Sequence, residues 1–456
     1  MHVPLLRRSR ASVNGAANKR SEDERMSTGL KRNARGTYLL PGLTFRRVGR
    51  RYPLCQDAVG RDYPGGFGHR EPKVPAKTTL WKLDPHTAAK HRLLRSYLDA
   101  WLPIMGRSGH PSVLLVDGFA GPGRYASGEP GSPLIFLDAF LSHRDRPNWD
   151  ATEFKFVFVE KEQDRFDHLR SELDQIVLPA NAKVFPVPGE FHVAMKELLD
   201  SVPHGFGLPP SFVFIDPFGW TGHGLDLSSR ILGFRRCEVL LYVPLPWIAR
   251  FVTDDKVSGS FDNLFGDDSW RAARALDDGQ ERLALLHDVI LDKVRSMGRH
   301  ARSFQIEAGG RGWNGYHLFF GTQNEKGLDK MKYAMWQVDP VAGIRFADST
   351  DNGQLTLFED RPDLTPLQDA LRAHFGTRRF AIEEAEQFTL LETPYHPSIH
   401  LKRGALVPLE ADGRLGATQR LRARTYPKGT ILRFNRQPGG PPFGRGTRSL
   451  VPRPTV

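Results

Sequence analysis

Residues 81–345 alternate between apolar runs of strand length and stretches with helical periodicity. A first helix is expected from Pro85, because the apolar residues that follow recur at helical spacing as far as Trp101. The remaining helices are expected at Ser132 to Phe140, 164–177, 281–298 and 328–338. Strands are expected at 112–117, 154–159, 182–191, 212–215, 238–243, 304–308 and 316–322. This alternation predicts an α/β fold with a doubly wound, mostly parallel sheet.

The pattern changes after Asp339 and Pro340, and residues 360–434 are interpreted as a separate unit. Helices are expected at 365–375, 381–392 and about 398–411, although Gly404 and Pro408 weaken the third of them. A basic strand pair follows at 415–434, and this order of elements is typical of a winged helix-turn-helix. The residues expected to contact a nucleic acid are His400, Lys402 and Arg403 on the third helix and Arg420, Arg422, Arg424 and Lys428 on the wing. A winged-helix unit used only for protein contact is the alternative.

Charge is unevenly distributed along the 456 residues. Residues 1–76 hold 16 basic and six acidic side chains, and residues 414–456 hold ten basic and no acidic ones, whereas the segment between them has an acidic excess. We interpret 1–76 as a disordered extension and 435–456 as a disordered tail, with a nucleic-acid arm as the alternative for a basic end. Translation that starts at Met26 or nearer Lys77 is a further alternative.

Several classes of protein are excluded by composition. Two cysteines, Cys55 and Cys237, form neither a disulfide framework nor a four-ligand zinc site, so no metal is expected. No apolar run reaches the length of a membrane helix, and the N-terminus lacks the apolar core of a secretion signal. A cytoplasmic protein that does not contact a membrane is expected.

The ends of the predicted strands carry the residues that suggest a ligand site. The first strand ends at Asp117 and enters the glycine-rich loop DGFAGPGRYASGEPGSP, and the second ends at Glu160, the position that binds ribose in doubly wound folds. The third ends in Gly189-Glu190-Phe191 and the fourth in DPFGW, residues 216–220. The loop lacks the GKS or GKT of a phosphate-binding loop and does not match G-x-G-x-x-G.

The four strand ends DGFAGPG, VEKE, GEF and DPFGW together resemble the binding edge of class I S-adenosylmethionine-dependent methyltransferases. With WKLDPHTAAKH, FIDPFGWTG and YHLFFGTQNEKGLDKMKYAMW, the chain more narrowly resembles the three-Cys-motif partner protein (TcmP) family over residues 81–434. The resemblance implies a Rossmann-like methyltransferase domain over about 77–345, in which the sixth and seventh strands form an antiparallel edge. It also implies S-adenosylmethionine as cofactor and a radical-SAM-like three-Cys-motif protein as partner.

The resemblance assigns a role to individual residues. The expected cofactor-binding residues are Asp117, Gly118, Phe119, Gly121, Gly123, Glu160 and Glu190. Of these, Asp117 and residues 121–123 would surround the methionine part, Glu160 would bind the ribose hydroxyls and Glu190 would contact the adenine. Asp216, Pro217 and Phe218 are the expected catalytic residues, because amino-group methyltransferases use D/N-P-P-Y/F at this strand end. Phe218 stands where that motif has its second proline. Phe218 or Trp220 could stack on a base, and a buried aromatic under a tight turn is the alternative.

Three functions remain open. The first is a methyltransferase, with nucleic acid favoured as acceptor, and the second is a non-catalytic partner that binds DNA or protein with a degenerate methyltransferase fold. The third, a nicotinamide-dependent dehydrogenase, requires the missing G-x-G-x-x-G motif. His86, Lys90 and His91 of the first helix are expected on an exposed face, with a place in the lining of a site as the alternative.

Overall fold

A computed structural model describes residues 79–307, 315–343, 345–347 and 362–435, with the backbone of two-residue strands at 31–32, 38–39 and 46–47. The extension predicted for 1–76 and the tail predicted for 435–456 lie outside the described residues, apart from those strands and Asn435. No helix in the described part of the chain has the length and apolar character needed to cross a membrane.

An eight-stranded sheet forms the centre of the first unit. Its strands are β1 (Ser112–Asp117), β2 (Glu153–Glu160), β3 (Ala182–Pro188), β4 (Ser211–Ile215), β5 (Cys237–Val243), β6 (His300–Glu307), β7 (Gly315–Thr322) and β8 (Arg345–Ala347). They lie in the order β8-β6-β7-β5-β4-β1-β2-β3. Strands β1 to β5 are parallel, whereas β7 is antiparallel to both β5 and β6. The chain order therefore reverses between β1 and β4, the position where α/β sheets bind ligands.

Helices cover both faces of this sheet. They are α1 (Pro85–Gly106), α2 (Ser132–Leu141), α3 (Gln163–Asp174), α4 (Phe191–Asp200), α5 (Leu225–Leu232), α6 (Leu245–Phe251), α7 (Ser258–Phe265), α8 (Gly279–Gly298) and α9 (Glu325–Val338). Successive residues of β1 pack into hydrophobic cores on opposite faces of the sheet. Val113 and Leu115 pack with α1, α2, α3 and α9, whereas Leu114 and Val116 pack with α4 to α8. This two-sided burial explains why the strands are continuous apolar runs.

The predicted doubly wound, mostly parallel sheet is confirmed, with small shifts in element bounds. The first unit extends to Ala347, because β8 joins the sheet beside β6 in parallel register. The helix predicted at 164–177 ends at Asp174. The strand predicted at 304–308 belongs to the longer β6, which begins at His300.

The second unit contains α10 (Thr365–Phe375), β9 (Arg379–Ala381), α11 (Ile382–Glu392), a π-helical segment (Pro397–Leu406) that continues into α12 (Val407–Ala411), β10 (Leu415–Thr418) and β11 (Ile431–Phe434). Its strands form an antiparallel sheet in the order β9-β11-β10. Gly404 lies in the helical segment, and its lack of a side chain leaves room for Leu364. An added Cβ at this position would lie 2.2 Å from the Leu364 Cδ1 atom. Pro408 lies where the π-helical segment passes into α12.

Two cations of the first unit bind the carboxyl end of α11 in the second. The Lys332 ammonium donates hydrogen bonds to the carbonyl oxygens of Thr389, Leu390 and Thr393, at 3.0, 2.9 and 2.9 Å. The guanidinium of Arg302, in β6, donates to the same turn of backbone. Because the last carbonyls of a helix have no partner within it, these cations join the two units.

Candidate functional site

The carboxyl ends of β1, β2 and β4 meet at one edge of the sheet. Asp117 ends β1 and pairs in register with Phe214 of β4, two residues before Asp216. The Gly118 N–H extends this pairing by donating to the Phe214 carbonyl, 2.9 Å away. The loop then approaches β2, because the Ala120 N–H donates to the Val159 carbonyl at 2.9 Å. The strand ends that carry Asp117, Glu160 and Asp216 are thus brought together as predicted from their parallel order.

Backbone geometry explains why two positions of the loop, 118 and 121, are occupied by glycine. A Cβ at Gly118 would lie 2.5 Å from the ring of Phe191, the first residue of α4, so a larger residue would push that helix away from the sheet. Gly121 has a φ of +63°, a left-handed conformation that glycine adopts without steric cost. This conformation accompanies a hydrogen bond from the Gly121 N–H to Glu160.

Asp117 is a buried carboxylate with one unpaired oxygen. Its Oδ1 atom accepts a hydrogen bond from the Phe119 N–H at 3.1 Å. Its Oδ2 atom is buried and has no hydrogen-bond partner among the described residues; the Ser132 hydroxyl is near enough to lower the pKa of this carboxyl but makes no hydrogen bond of ordinary geometry to Oδ2. Burial raises the pKa of Asp117 to about 7, and the nearby Ser132 hydroxyl and Phe119 N–H oppose that effect. An unpaired buried acceptor is costly to folding, so this oxygen is suited to receive a donor from a ligand.

Glu160 is fixed by the backbone on both sides. Its Oε2 atom accepts from the Gly121 N–H and its Oε1 atom from the Glu162 N–H, each at 2.8 Å. Burial raises the pKa of Glu160, whereas the Glu162 N–H and the charge of Arg165 lower it. Each carboxylate oxygen has a second lone pair, so the group can still accept hydrogen bonds from a pair of hydroxyls.

Glu190, predicted to contact an adenine, lies at the start of α4 and is partly exposed. Its carboxylate forms an ion pair with Lys161 at 2.9 Å and lies 3.3 Å from the Nδ1 atom of His192. The hydrogen bond from Lys161 lowers the pKa of Glu190. Its assignment to the adenine therefore remains a prediction.

Asp216 forms an ion pair with Lys90 of α1. The Lys90 and Asp216 side chains are only 13% and 18% exposed, and the Lys90 ammonium lies 5.4 Å from the centre of the Tyr242 ring. The prediction of an exposed face is wrong for Lys90 and His91, because the N-terminal half of α1 reaches the carboxyl edge of the sheet. His91 is buried, and burial, followed by the charge of Lys90, lowers its pKa to about 3. The side chain of His86 lies outside the described residues.

Aromatic residues after β4 divide between surface and core. Phe218 is 53% exposed and contacts Trp81 edge to face, with ring centres 5.4 Å apart. The Arg165 guanidinium lies 5.0 Å from the Trp81 ring and 5.2 Å from the Phe218 ring. Trp220 instead packs against Phe261 in the core. Phe218 is therefore the exposed ring of this segment, whereas Trp220 is partly buried against the core.

Sequence reasoning missed Trp81, Tyr125 and Arg165, and it preferred an exposed face for Lys90. The Trp81 carbonyl accepts a hydrogen bond from the Ala126 N–H at 2.9 Å, and the Trp81 ring lies 6.0 Å from that of Tyr125, so the segment before α1 follows the glycine-rich loop. One signal was present in the sequence, since Trp81 and Lys90 belong to the WKLDPHTAAKH segment on which the family resemblance rests.

The basic residues predicted to bind nucleic acid differ in their surroundings. Lys402 forms an ion pair with Glu386 at 2.8 Å, and Arg420 is paired with Glu410. Arg403, Arg422 and Arg424 are exposed. His400 is buried and therefore cannot contact a nucleic acid as predicted.

Several solved structures with similarity to this chain are methyltransferases. An O-methyltransferase from Bacillus cereus in complex with SAH is 13% identical, with 53% of this chain and 83% of that one covered and a TM-score of 0.28. Trm1 from Pyrococcus horikoshii with S-adenosyl-L-methionine is 10% identical, with 78% and 92% covered and a TM-score of 0.31. Human methyltransferase 10 domain containing protein is 11% identical, with 51% and 82% covered and a TM-score of 0.25. No protein-family model and no curated protein matches the chain.

The strand order defines the class. A sheet ordered 3-2-1-4-5-7-6 with only the seventh strand antiparallel is the Rossmann-like fold of class I methyltransferases, and β1 to β7 have this order and these directions. The chain thus contains a methyltransferase-like domain, an assignment that depends on its topology and not on the TM-scores. Among the described residues, no cluster of three or more His, Cys, Asp or Glu side chains is arranged to hold a metal ion.

Proposed function

We propose that this protein is an S-adenosylmethionine-dependent methyltransferase. The observation that carries the proposal is the buried Oδ2 atom of Asp117, which has no partner among the described residues and lies where the chain order of the sheet reverses. An ammonium donor, such as the amino group of a bound methionine moiety, would satisfy this acceptor and compensate the charge of the carboxylate.

Each site residue has a role in this proposal. Glu160, held by two backbone N–H groups, would accept hydrogen bonds from the ribose hydroxyls. Gly118, Phe119, Gly121 and Gly123 would let the loop backbone approach the cofactor closely. When bound, S-adenosylmethionine supplies an already activated methyl group, so the protein's main task is to align the acceptor.

Asp216, Pro217 and Phe218 would position the acceptor, for which nucleic acid is our favoured class. The exposed ring of Phe218 beside Trp81 supports this choice, because bases stack on aromatic rings with about 1–3 kcal/mol per base. Arg165, close to both rings, would contact a phosphate. The replacement of the second motif proline by Phe218 weighs against an amino group as the methyl acceptor.

The second unit would bind nucleic acid as a winged helix-turn-helix. Its element order and antiparallel sheet β9-β11-β10 support that interpretation. The loop between β10 and β11 would be the wing, on which Arg422 and Arg424 are exposed. A role of this unit in protein contact is the alternative.

The second candidate function is a non-catalytic partner of a radical-SAM-like three-Cys-motif protein, as the TcmP resemblance implies. The departure of DPFG from the D/N-P-P-Y/F motif favours it. A bound cofactor with no methyl transfer would distinguish this candidate from an enzyme.

A transfer assay with the full chain tests the proposal. The chain is incubated with S-adenosylmethionine labelled in its methyl group and with single-stranded RNA, single-stranded DNA or a protein extract. We expect label in nucleic acid, loss of label with Asp216→Asn, and normal labelling with Asp226→Asn, which removes an exposed carboxylate from α5. Label only in protein would contradict the nucleic-acid acceptor. Absence of label from all three, with cofactor bound, would contradict the enzyme and favour the partner function.

A further inference from the structure

Lys90 connects α1 to the strand end that carries the proposed acceptor site. Its partner Asp216 is 126 positions further along the chain, so tertiary structure alone creates this ion pair. Lysine side chains on a helix are normally exposed, yet only 13% of the Lys90 side chain is accessible to solvent. A lysine enclosed at the end of a strand therefore calls for a role other than solubility.

Several groups near this ion pair respond to its charges. The Asp117 carboxyl is close enough that Asp216 raises and Lys90 lowers its pKa, after the larger effect of burial. Burial and then the Asp216 charge raise the pKa of Tyr125, and the Asp216 charge also acts on Tyr242 and Tyr316. Lys90 thus provides a positive charge beside Asp216 that also acts on Asp117, and the ring of Tyr242 lies close to it.

We propose that Lys90 is a positioning residue of the methyl-transfer site, which holds the Asp216 carboxylate in place and compensates its negative charge. This inference rests on the proposed methyltransferase function. Asp216 can accept a hydrogen bond from a neutral donor while it remains paired with Lys90. A protonated alkylamine would meet a carboxylate that is already compensated, so the site is suited to an uncharged nucleophile such as an amide or a hydroxyl.

S-adenosylmethionine and S-adenosylhomocysteine together form a probe of this charge. They differ by one methyl group and one positive charge, located at the sulfur atom from which the methyl group is transferred. The ratio of their dissociation constants therefore reports the local electrostatic field, and it requires no knowledge of the acceptor.

The experiment measures both dissociation constants by calorimetry for the full chain and its variants. Lys90→Met leaves Asp216 uncompensated, so we expect the affinity ratio to shift towards S-adenosylmethionine by about fivefold to tenfold. Asp216→Asn should shift the ratio in the opposite direction. Lys90→Arg, which keeps the charge, and the double variant Lys90→Met/Asp216→Asn should both stay near the wild-type ratio.

Arg92→Met is the matched control, because it removes a positive charge from the exposed side of the same helix and should leave the ratio unchanged. An unchanged ratio in both Lys90→Met and Asp216→Asn would overturn the role of Lys90. If Lys90→Met fails to fold, Asp216→Asn and Lys90→Arg still decide the question. Failure of the wild-type chain to bind either nucleoside would instead contradict the proposed function itself.

Discussion

The His400 imidazole lies against the Trp336 indole, with ring centres 4.0 Å apart. His400 belongs to the helix that the sequence predicts to enter a major groove, whereas Trp336 belongs to α9 of the first unit. The Trp336 Nε1 atom also donates to the Pro394 carbonyl at 3.0 Å. This part of the predicted reading helix therefore contacts the methyltransferase-like domain, and nucleic-acid contacts of the second unit would come from its exposed arginines.

The first prediction concerns those arginines. Arg422→Ala/Arg424→Ala should weaken binding of the full chain to duplex DNA and reduce its dependence on salt, because each lost phosphate contact lowers the slope of log K against log salt by about 0.9. Arg144→Ala/Arg146→Ala, which removes two arginines from the first unit, is the control. The measurement is fluorescence anisotropy at several salt concentrations. Unchanged affinity and slope in the first variant would exclude a wing that contacts phosphates.

The second prediction concerns the junction between the units. Lys332→Met should destabilise the protein by about 1–3 kcal/mol, because the carbonyls of Thr389, Leu390 and Thr393 would lose a buried donor while Arg302 still donates to two of them. Lys326→Met, at an exposed position of the same helix, should have little effect. Chemical denaturation monitored by tryptophan fluorescence gives both values. Equal stability of the two variants would show that the capping contacts contribute nothing.

The third prediction is a conflict between stability and binding at Asp117. Asp117→Asn removes a buried charge with an unpaired oxygen and should increase the free energy of unfolding by about 1–3 kcal/mol at pH 7.5. The same change should weaken the binding of S-adenosylhomocysteine. Asp174→Asn, at an exposed position, should change neither property. A destabilised Asp117→Asn variant would contradict the description of Asp117 as an unsatisfied acceptor.

The fourth prediction is a loss of stability in mild acid. Burial is the main cause that lowers the pKa of His91 and His317 to about 3 and that of His223 and His400 to about 4, from an ordinary value of 6.5. The unfolded chain therefore binds more protons, and stability falls as the pH decreases from about 6.5 towards 4. Asp117, whose pKa is raised to about 7, acts with the opposite sign, as do Glu160 and Glu238, whose pKa values burial also raises, but the four histidines outnumber these carboxyls.

Urea denaturation at pH 7.5, 6.0 and 5.0 tests this expectation. The midpoint should decrease at each step, since each histidine contributes up to about 1.4 kcal/mol per pH unit. Carboxylates with lowered pKa values, such as Asp329 at about 2, lose their contribution only below about pH 4, outside this range. A midpoint that stays constant or rises towards pH 5 would contradict the burial of neutral histidines.

The sheet and its acidic edge were predictable because both follow from local pattern. Apolar runs that alternate with helices predict parallel strands, and the carboxyl ends of parallel strands share one edge. Asp117, Glu160 and Asp216 could therefore be predicted to share this edge, because each of them lies at the end of a predicted strand or directly after it. The order of the strands required the structure, since no pairing in the sheet is encoded within a single segment.

Lys90 and His400 show where sequence reasoning failed. A helical periodicity separates an apolar from a polar face, and it does not reveal that the polar face lies against the end of a sheet or against another unit. Lys90 meets Asp216 and His400 meets Trp336 through tertiary contacts that join distant parts of the chain. Contacts of this kind leave no periodic signal in the sequence.

The central claim is that the edge formed by Asp117 and Glu160 binds an adenosine cofactor with a methionine moiety. Calorimetric titration of the full chain with S-adenosylhomocysteine tests it most directly. We predict one site per chain, about a tenfold to hundredfold loss of affinity in Glu160→Gln, and unchanged affinity in Glu162→Gln, the neighbouring exposed carboxylate. Absence of binding at millimolar ligand, or equal affinity of the wild-type chain and Glu160→Gln, would contradict the claim.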